Sequence, residues 1–142
     1  MEEEAVHRIT AVLSTTFAVL LLFTGAVLAS EACMPAKQMT IPAHKAWDRS
    51  FTLNDSASIK VEWRIEQNKS IDIYVMTQAQ DDAASNGNEP TQLGVDFIRH
   101  SSGVIGKGSE FVDLSAGRYS VVFRNLSDAH VTVWSLGTAT RE

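Results

Sequence analysis

Residues 109–137 read S-E-F-V-D-L-S-A-G-R-Y-S-V-V-F-R-N-L-S-D-A-H-V-T-V-W-S-L-G. An extended run ends at Ala116-Gly117, where the chain turns. Tyr119, Val121 and Phe123 then alternate with Ser120, Val122 and Arg124. A second turn spans residues 125–128, after which Val131, Val133 and Ser135 alternate with Thr132, Trp134 and Leu136. Period-two patterning in β-branched and aromatic residues, bounded by Gly and Asn/Ser/Asp, predicts antiparallel strands joined by short turns.

The same rhythm extends upstream. In residues 58–66, Ile59, Val61, Trp63 and Ile65 point one way, and Lys60, Glu62, Arg64 and Glu66 the other, so one face is buried and one wet. Ile71, Ile73 and Val75 continue the buried face after a turn at residues 67–70. Further strands are expected at 39–41, 50–54 and 94–100, with a weak pair at Val104-Ile105. About eight short strands in one domain, each with a single apolar face, must pack as two sheets face to face. The expected fold is therefore all-β: a two-sheet antiparallel sandwich or jelly roll preceded by one N-terminal hydrophobic helix. No helix is expected elsewhere.

Residues 9–30 contain no charged side chain, and about 20 apolar residues suffice to cross a bilayer core. Two readings compete. A cleaved signal peptide has small residues at Val27-Leu28-Ala29 before Ser30, or at Ser30-Glu31-Ala32 before Cys33. A retained signal anchor accounts better for the length of the apolar run. The Lys and Arg bias runs against the expected orientation, since Lys37, Lys45 and Arg49 lie beyond the segment. The domain division is thus 1–30 as leader or transmembrane helix, 31–38 as linker, and 39–142 as sandwich. Membrane contact is assigned to residues 9–30. The β domain is placed outside the cytoplasm, anchored or secreted.

With 142 residues, a net charge of −5 and no basic run, the chain is not expected to bind nucleic acid. Cys33 is the only cysteine, so no intrachain disulfide can form. It fits a lipobox poorly, and palmitoylation, pairing with another chain and a plain thiol all stay open. Residues 78–92 are small, polar and Gly/Pro-punctuated, which predicts a long loop. A calcium register starting at Asp82 places Gly87 correctly but Ala84 and Leu93 where oxygen ligands are needed, so no metal is assigned.

Catalysis needs a nucleophile with a base, a carboxylate pair or a metal set. His44, His100 and His130 stand singly, and neither an HExxH spacing nor a GxSxG elbow occurs. No enzyme activity and no cofactor is expected. Asp72 reads as a solvated or turn-bonding residue. Three N-x-S sequons, at Asn54, Asn68 and Asn125, fall at predicted turns and are candidate N-glycosylation sites; ordinary turn formation explains them equally well. Trp63 belongs to the core. Trp134 lies on the second face of a central strand or in solvent, and Trp47 packs at the sandwich end or serves as an exposed platform.

Three pieces carry a family resemblance: Ser50-Phe51-Thr52-Leu53, Ile71-Asp72-Ile73-Tyr74-Val75, and residues 116–125 with A-G-R-Y followed by F-R-N. In this order they resemble the GOLD-like β-sandwich of the emp24/p24 cargo receptors, over residues 39–138. The chain departs from that pattern in having no coiled coil or membrane helix before it stops at Glu142, and no paired cysteines. Cargo sorting is therefore not implied. The resemblance implies a fold, and modules that bind proteins, lipids or glycans rather than catalyse. The expected function is a non-catalytic binding or accessory module with a protein or glycan partner. Its surface would be the 78–92 loop and the open sheet face. The alternative is a structural subunit of a larger membrane or surface assembly.

Overall fold

The computed structural model describes residues 29–84 and 97–141. The leader or transmembrane helix assigned to 1–30 lies outside them except for its last two positions. Among the described residues no helix is long and apolar enough to cross a membrane.

Eight strands follow in order: β1 (Ala29–Ile41), β2 (Ala46–Leu53), β3 (Ala57–Ile65), β4 (Ile71–Thr77), β5 (Arg99–Val104), β6 (Lys107–Leu114), β7 (Gly117–Asn125) and β8 (Val131–Arg141). Among the described residues one short helix, α1 (Gln78–Ala84), stands between β4 and β5. Sheet I has the order β1-β8-β3-β6 and sheet II the order β2-β7-β4-β5. Every pairing is antiparallel. The pairs β1–β8, β2–β7, β3–β6 and β4–β5 are nested about the middle of the chain, as if one long hairpin had been rolled over a core. That is the arrangement of a jelly roll.

The inner faces supply the core, led by Ile59, Val61, Ile73, Val121, Phe123 and Val133. Trp47 stacks obliquely on Phe123 with centroids 5.5 Å apart, and Phe51 lies on Tyr119 at 5.7 Å. Trp47 is thus packed inside rather than exposed as a platform. Tyr119 Oη donates to the Ser115 carbonyl at 2.8 Å and fastens the turn between β6 and β7.

Three expectations need correction. Residues 31–38, expected as a linker, lie inside β1. Pro35 is tolerated because β1 is an edge strand whose register with β8 shifts between Ala32 and Met34 and again between Met34 and Lys37. The Pro35 carbonyl, left out of the ladder, is taken by Arg49 Nη2, while Arg49 Nη1 donates to Ser135 O and Oγ at 3.0 and 2.9 Å. Second, the expected loop at 78–92 begins as α1. Thr77 Oγ1 accepts from Gln80 N at 3.1 Å and Gln80 Oε1 accepts from Thr77 N at 2.9 Å, a capping box that satisfies two donors of the first turn. Residues 85–92, with most of the calcium register, lie outside the described residues. Third, the strand expected at 94–100 is observed at Arg99–Val104. It is entered from Phe97 and turned by Gly103 and Gly106, whose φ angles are +62° and +65°.

Candidate functional face

The two sheets differ in what their outer faces meet. On sheet II, β4 is buried along both faces from Ile71 to Met76. The outward residues Tyr74, Met76 and Val122 form a second apolar cluster with Ala84 of α1 packed against it. His100 stacks on Tyr74 with centroids 4.1 Å apart and rings nearly parallel, and its Nε2 is 3.4 Å from Asp72 Oδ2. Asp72, expected as a solvated residue, is buried with His100 and Gly103 of β5 against it, and it accepts Gly103 N at 2.8 Å. Asp48 keeps one edge in solvent. Desolvation of its other flank, with the hydrogen-bonded Asp81 carboxylate beside it, raises its carboxyl to about 6. Over β4 and β7, sheet II is closed by its own chain.

Sheet I presents an open outer face. Because side chains alternate, Ser58, Lys60, Glu62 and Arg64 of β3 share it with Trp134, Leu136, Thr138 and Thr140 of β8 and Lys107, Ser109, Phe111 and Asp113 of β6. The register sets these as cross-strand rows: Trp134, Arg64 and Lys107; Leu136, Glu62 and Ser109; Thr138, Lys60 and Phe111; Thr140, Ser58 and Asp113. The Arg64 guanidinium lies over the Trp134 ring at 5.4 Å, and Lys60 Nζ over the Phe111 ring at 5.8 Å. Phe111 is 59% exposed.

Two hollows bracket this face. At the Trp134 row, a hollow of about 390 Å³ is lined by Glu62, Arg64, Lys107, Ser109 and Trp134, with Trp63 reached beside Gly108. At the Thr140 row, a hollow of about 550 Å³ is lined by Ser56, Ser58, Asp113, Ser115 and Thr140. From Ser58 to Arg64 the strand advances six residues, about 20 Å at 3.3 Å per step. One end is cationic and aromatic, and the other is hydroxyl-rich and acidic. Among the described residues no group of three His, Cys, Asp or Glu is placed to hold a metal ion.

The structure separates the three sequons. Asn54 and Asn68 are exposed at turns. Asn125 is fully buried, and its Nδ2 donates to Ile41 O, Pro42 O and Ala129 O at 3.1, 3.1 and 2.7 Å. Its amide is used up by the fold. Cys33 is half-buried in β1 and packs against the core; that burial pushes its thiol pKa up. Trp134 and Phe111 were not separable from ordinary strand residues in the sequence. Their face depends on a register that joins β8 and β6 to β3 across dozens of residues.

No protein-family model matches the chain, and no curated protein matches it. Among solved structures it is similar to the pre-peptidase C-terminal domain of collagenase from Bacillus anthracis, with a TM-score of 0.55 at 6% identity over 73% of this chain and 88% of that one. It is also similar to PliG of Aeromonas hydrophila, a periplasmic inhibitor of g-type lysozyme (TM-score 0.49, 13% identity, 78% of this chain and 88% of that one). A family 6 carbohydrate-binding module from Cellvibrio mixtus lichenase 5A aligns with a TM-score of 0.42 at 12% identity, over 82% of this chain and 98% of that one. The narrower emp24/p24 likeness gains no support. What the collagenase domain establishes for this chain is its fold, a two-sheet antiparallel β-sandwich.

Proposed function

We propose that this chain is a non-catalytic binding module that lays an extended glycan along the outer face of sheet I. Residues 9–30 would carry the module to, or hold it at, the outside of a membrane. The observation that carries the reading is the face itself. An exposed ring at Phe111 and a half-buried one at Trp134 stand among hydroxyl and charged side chains, between hollows at both ends of β3. Isolated rings give a sugar a stacking surface, and the intervening hydroxyls and charges satisfy its hydroxyl groups. A protein interface would be built around a contiguous desolvated apolar centre, whereas here Phe111 and Leu136 are separated by Lys60 and Glu62 of β3.

The test is retention of the full-length chain on a panel of immobilised polysaccharides, beside Phe111→Ala and Trp134→Ala. Phe111 is solvent-facing, so its replacement leaves thermal stability nearly unchanged while weakening retention by about tenfold, the scale of one stacking contact. Absence of retention on every glycan, or retention indifferent to Phe111→Ala, would overturn the proposal.

A further inference from the structure

We infer that the Trp134 end of this face is a subsite for a carboxylate, so that the glycan is an acidic one, with a uronate seated between Arg64 and Lys107. The inference rests on the glycan reading above and adds a charge to it.

Arg64 and Lys107 are direct cross-strand partners on the outer face of sheet I. Like charges directly opposite each other destabilise a sheet. The adjacent acid, Glu62, is committed to Lys60 at 3.2 Å, and neither Arg64 nor Lys107 has an ion pair among the described residues. The Arg64 guanidinium lies over the Trp134 ring at 5.4 Å, a contact that holds the cation at this row before any ligand arrives.

The guanidinium and the ammonium are donors only. Two donors without an acceptor, with the Ser109 hydroxyl beside them in the same hollow, match a group that only accepts, and a carboxylate does so with two oxygens.

The acids on the face limit how much charge the ligand carries. Glu62 lines the same hollow and Asp113 lines the other, on a chain whose net charge is −5. A densely sulfated polymer would meet these carboxylates along its length. A glycan bearing one carboxylate at intervals would place it at Arg64 and Lys107 and run neutral sugars past Phe111 to the hydroxyl-rich end.

The experiment measures binding of the full-length chain to hyaluronan, alginate, polygalacturonate and glucuronoxylan, each beside its carboxyl-reduced form, at two salt concentrations. Heparin is included as a densely sulfated control. At least one acidic polymer binds, its reduced form binds about tenfold more weakly, the scale of one charge-assisted hydrogen bond, and added salt weakens the acidic interaction. Arg64→Gln and Lys107→Gln each remove most of that difference while leaving the melting temperature within a few degrees. Equal binding of acidic and reduced forms, or binding of heparin alone, overturns the carboxylate subsite while Phe111→Ala still reports on the glycan face. Loss of all binding, acidic and neutral, with Phe111→Ala silent, overturns both.

Discussion

Asn125→Ala tests whether the turn between β7 and β8 is a structural knot. The Asn125 side chain donates to three backbone carbonyls, and its Oδ1 accepts Ser127 N at 3.0 Å and Ser127 Oγ at 2.7 Å. These bonds join the corner between β1 and β2, at Ile41 and Pro42, to the turn that leads into β8. Each is worth about 1 kcal/mol net, and a buried carbonyl left without a partner costs about 1–3 kcal/mol more. The bonds to Ser127 are recoverable from water at this half-exposed turn; that to Ile41 is buried. The expected loss is about 3–4 kcal/mol, a large share of the 5–15 kcal/mol that holds a domain of this size. Thermal and urea unfolding followed by circular dichroism would report it, as a fall in Tm of about 10–15 °C.

Ser127→Ala supplies the control, because it deletes the same sequon. It loses the contacts of Ser127 Oγ with Asn125 Oδ1 and, at the exposed side of the turn, with Ala129 O and N, but leaves all three carbonyl bonds of Asn125 in place; water replaces the exposed contacts, so it should cost only about 1 kcal/mol. If the two substitutions destabilise equally, or Asn125→Ala costs less than about 1 kcal/mol, the account of this amide as a cross-strand tie is wrong. Expression in an N-glycosylating host adds a further readout. Glycan should be found at Asn54 and Asn68, which are exposed, and not at Asn125.

Three other substitutions have defined outcomes. The Asp48 carboxyl is raised from 3.8 to about 6 on folding, so the folded chain holds that proton more tightly than the unfolded one. Its contribution is complete below about pH 4 and is lost as pH rises through about 6; after discounting for solvent exposure it amounts to about 1 kcal/mol. Asp48→Asn, which keeps a donor toward Asp81, should flatten the change in Tm between pH 4 and 7. Gly108→Ala forces a methyl group to within 2.8 Å of the Trp63 ring and should cost about 1–3 kcal/mol, seen as a lower Tm with altered tryptophan fluorescence. Thr77→Ala removes half of the capping box and should cost about 1 kcal/mol, with faster amide exchange confined to α1.

Strands whose two faces differ in character were readable from the residues alone. The alternation at 58–66 corresponds to β3, because half of that strand meets the core and half does not. Alternation fails where both faces are covered. Asp72, Tyr74 and Met76 look like a wet face, yet all three are buried, since α1 and β5 lie over them. The signal for α1 was present as T-x-x-Q at residues 77–80, but the polar run after it masked so short a helix. Pro35 reads as a break in any local pattern and becomes admissible only once β1 is known to be an edge strand with shifted register. The candidate site was the least legible. Arg64 and Trp134 are 70 positions apart in the chain, and their contact exists only because β3 pairs with β8 in one register.

That register also explains why one face of the sandwich is available and the other is not. A jelly roll built from nested pairs leaves two outer faces, and each must be polar, covered or put to use. Sheet II is covered: α1 returns over β4 and β7, and Tyr74, Met76 and Val122 disappear beneath it. Sheet I keeps Phe111 in solvent and opposes two cations across β3 and β6, choices that cost stability on a face with no occupant. A single-register slip of β6 against β3 would turn Phe111, Lys107 and Ser109 inward and Glu110 and Val112 outward, destroying the core and the platform together. The alternation that buries Val112 and Leu114 is therefore the same alternation that presents Phe111 and Lys107, and selection on the core alone holds the proposed binding face in place.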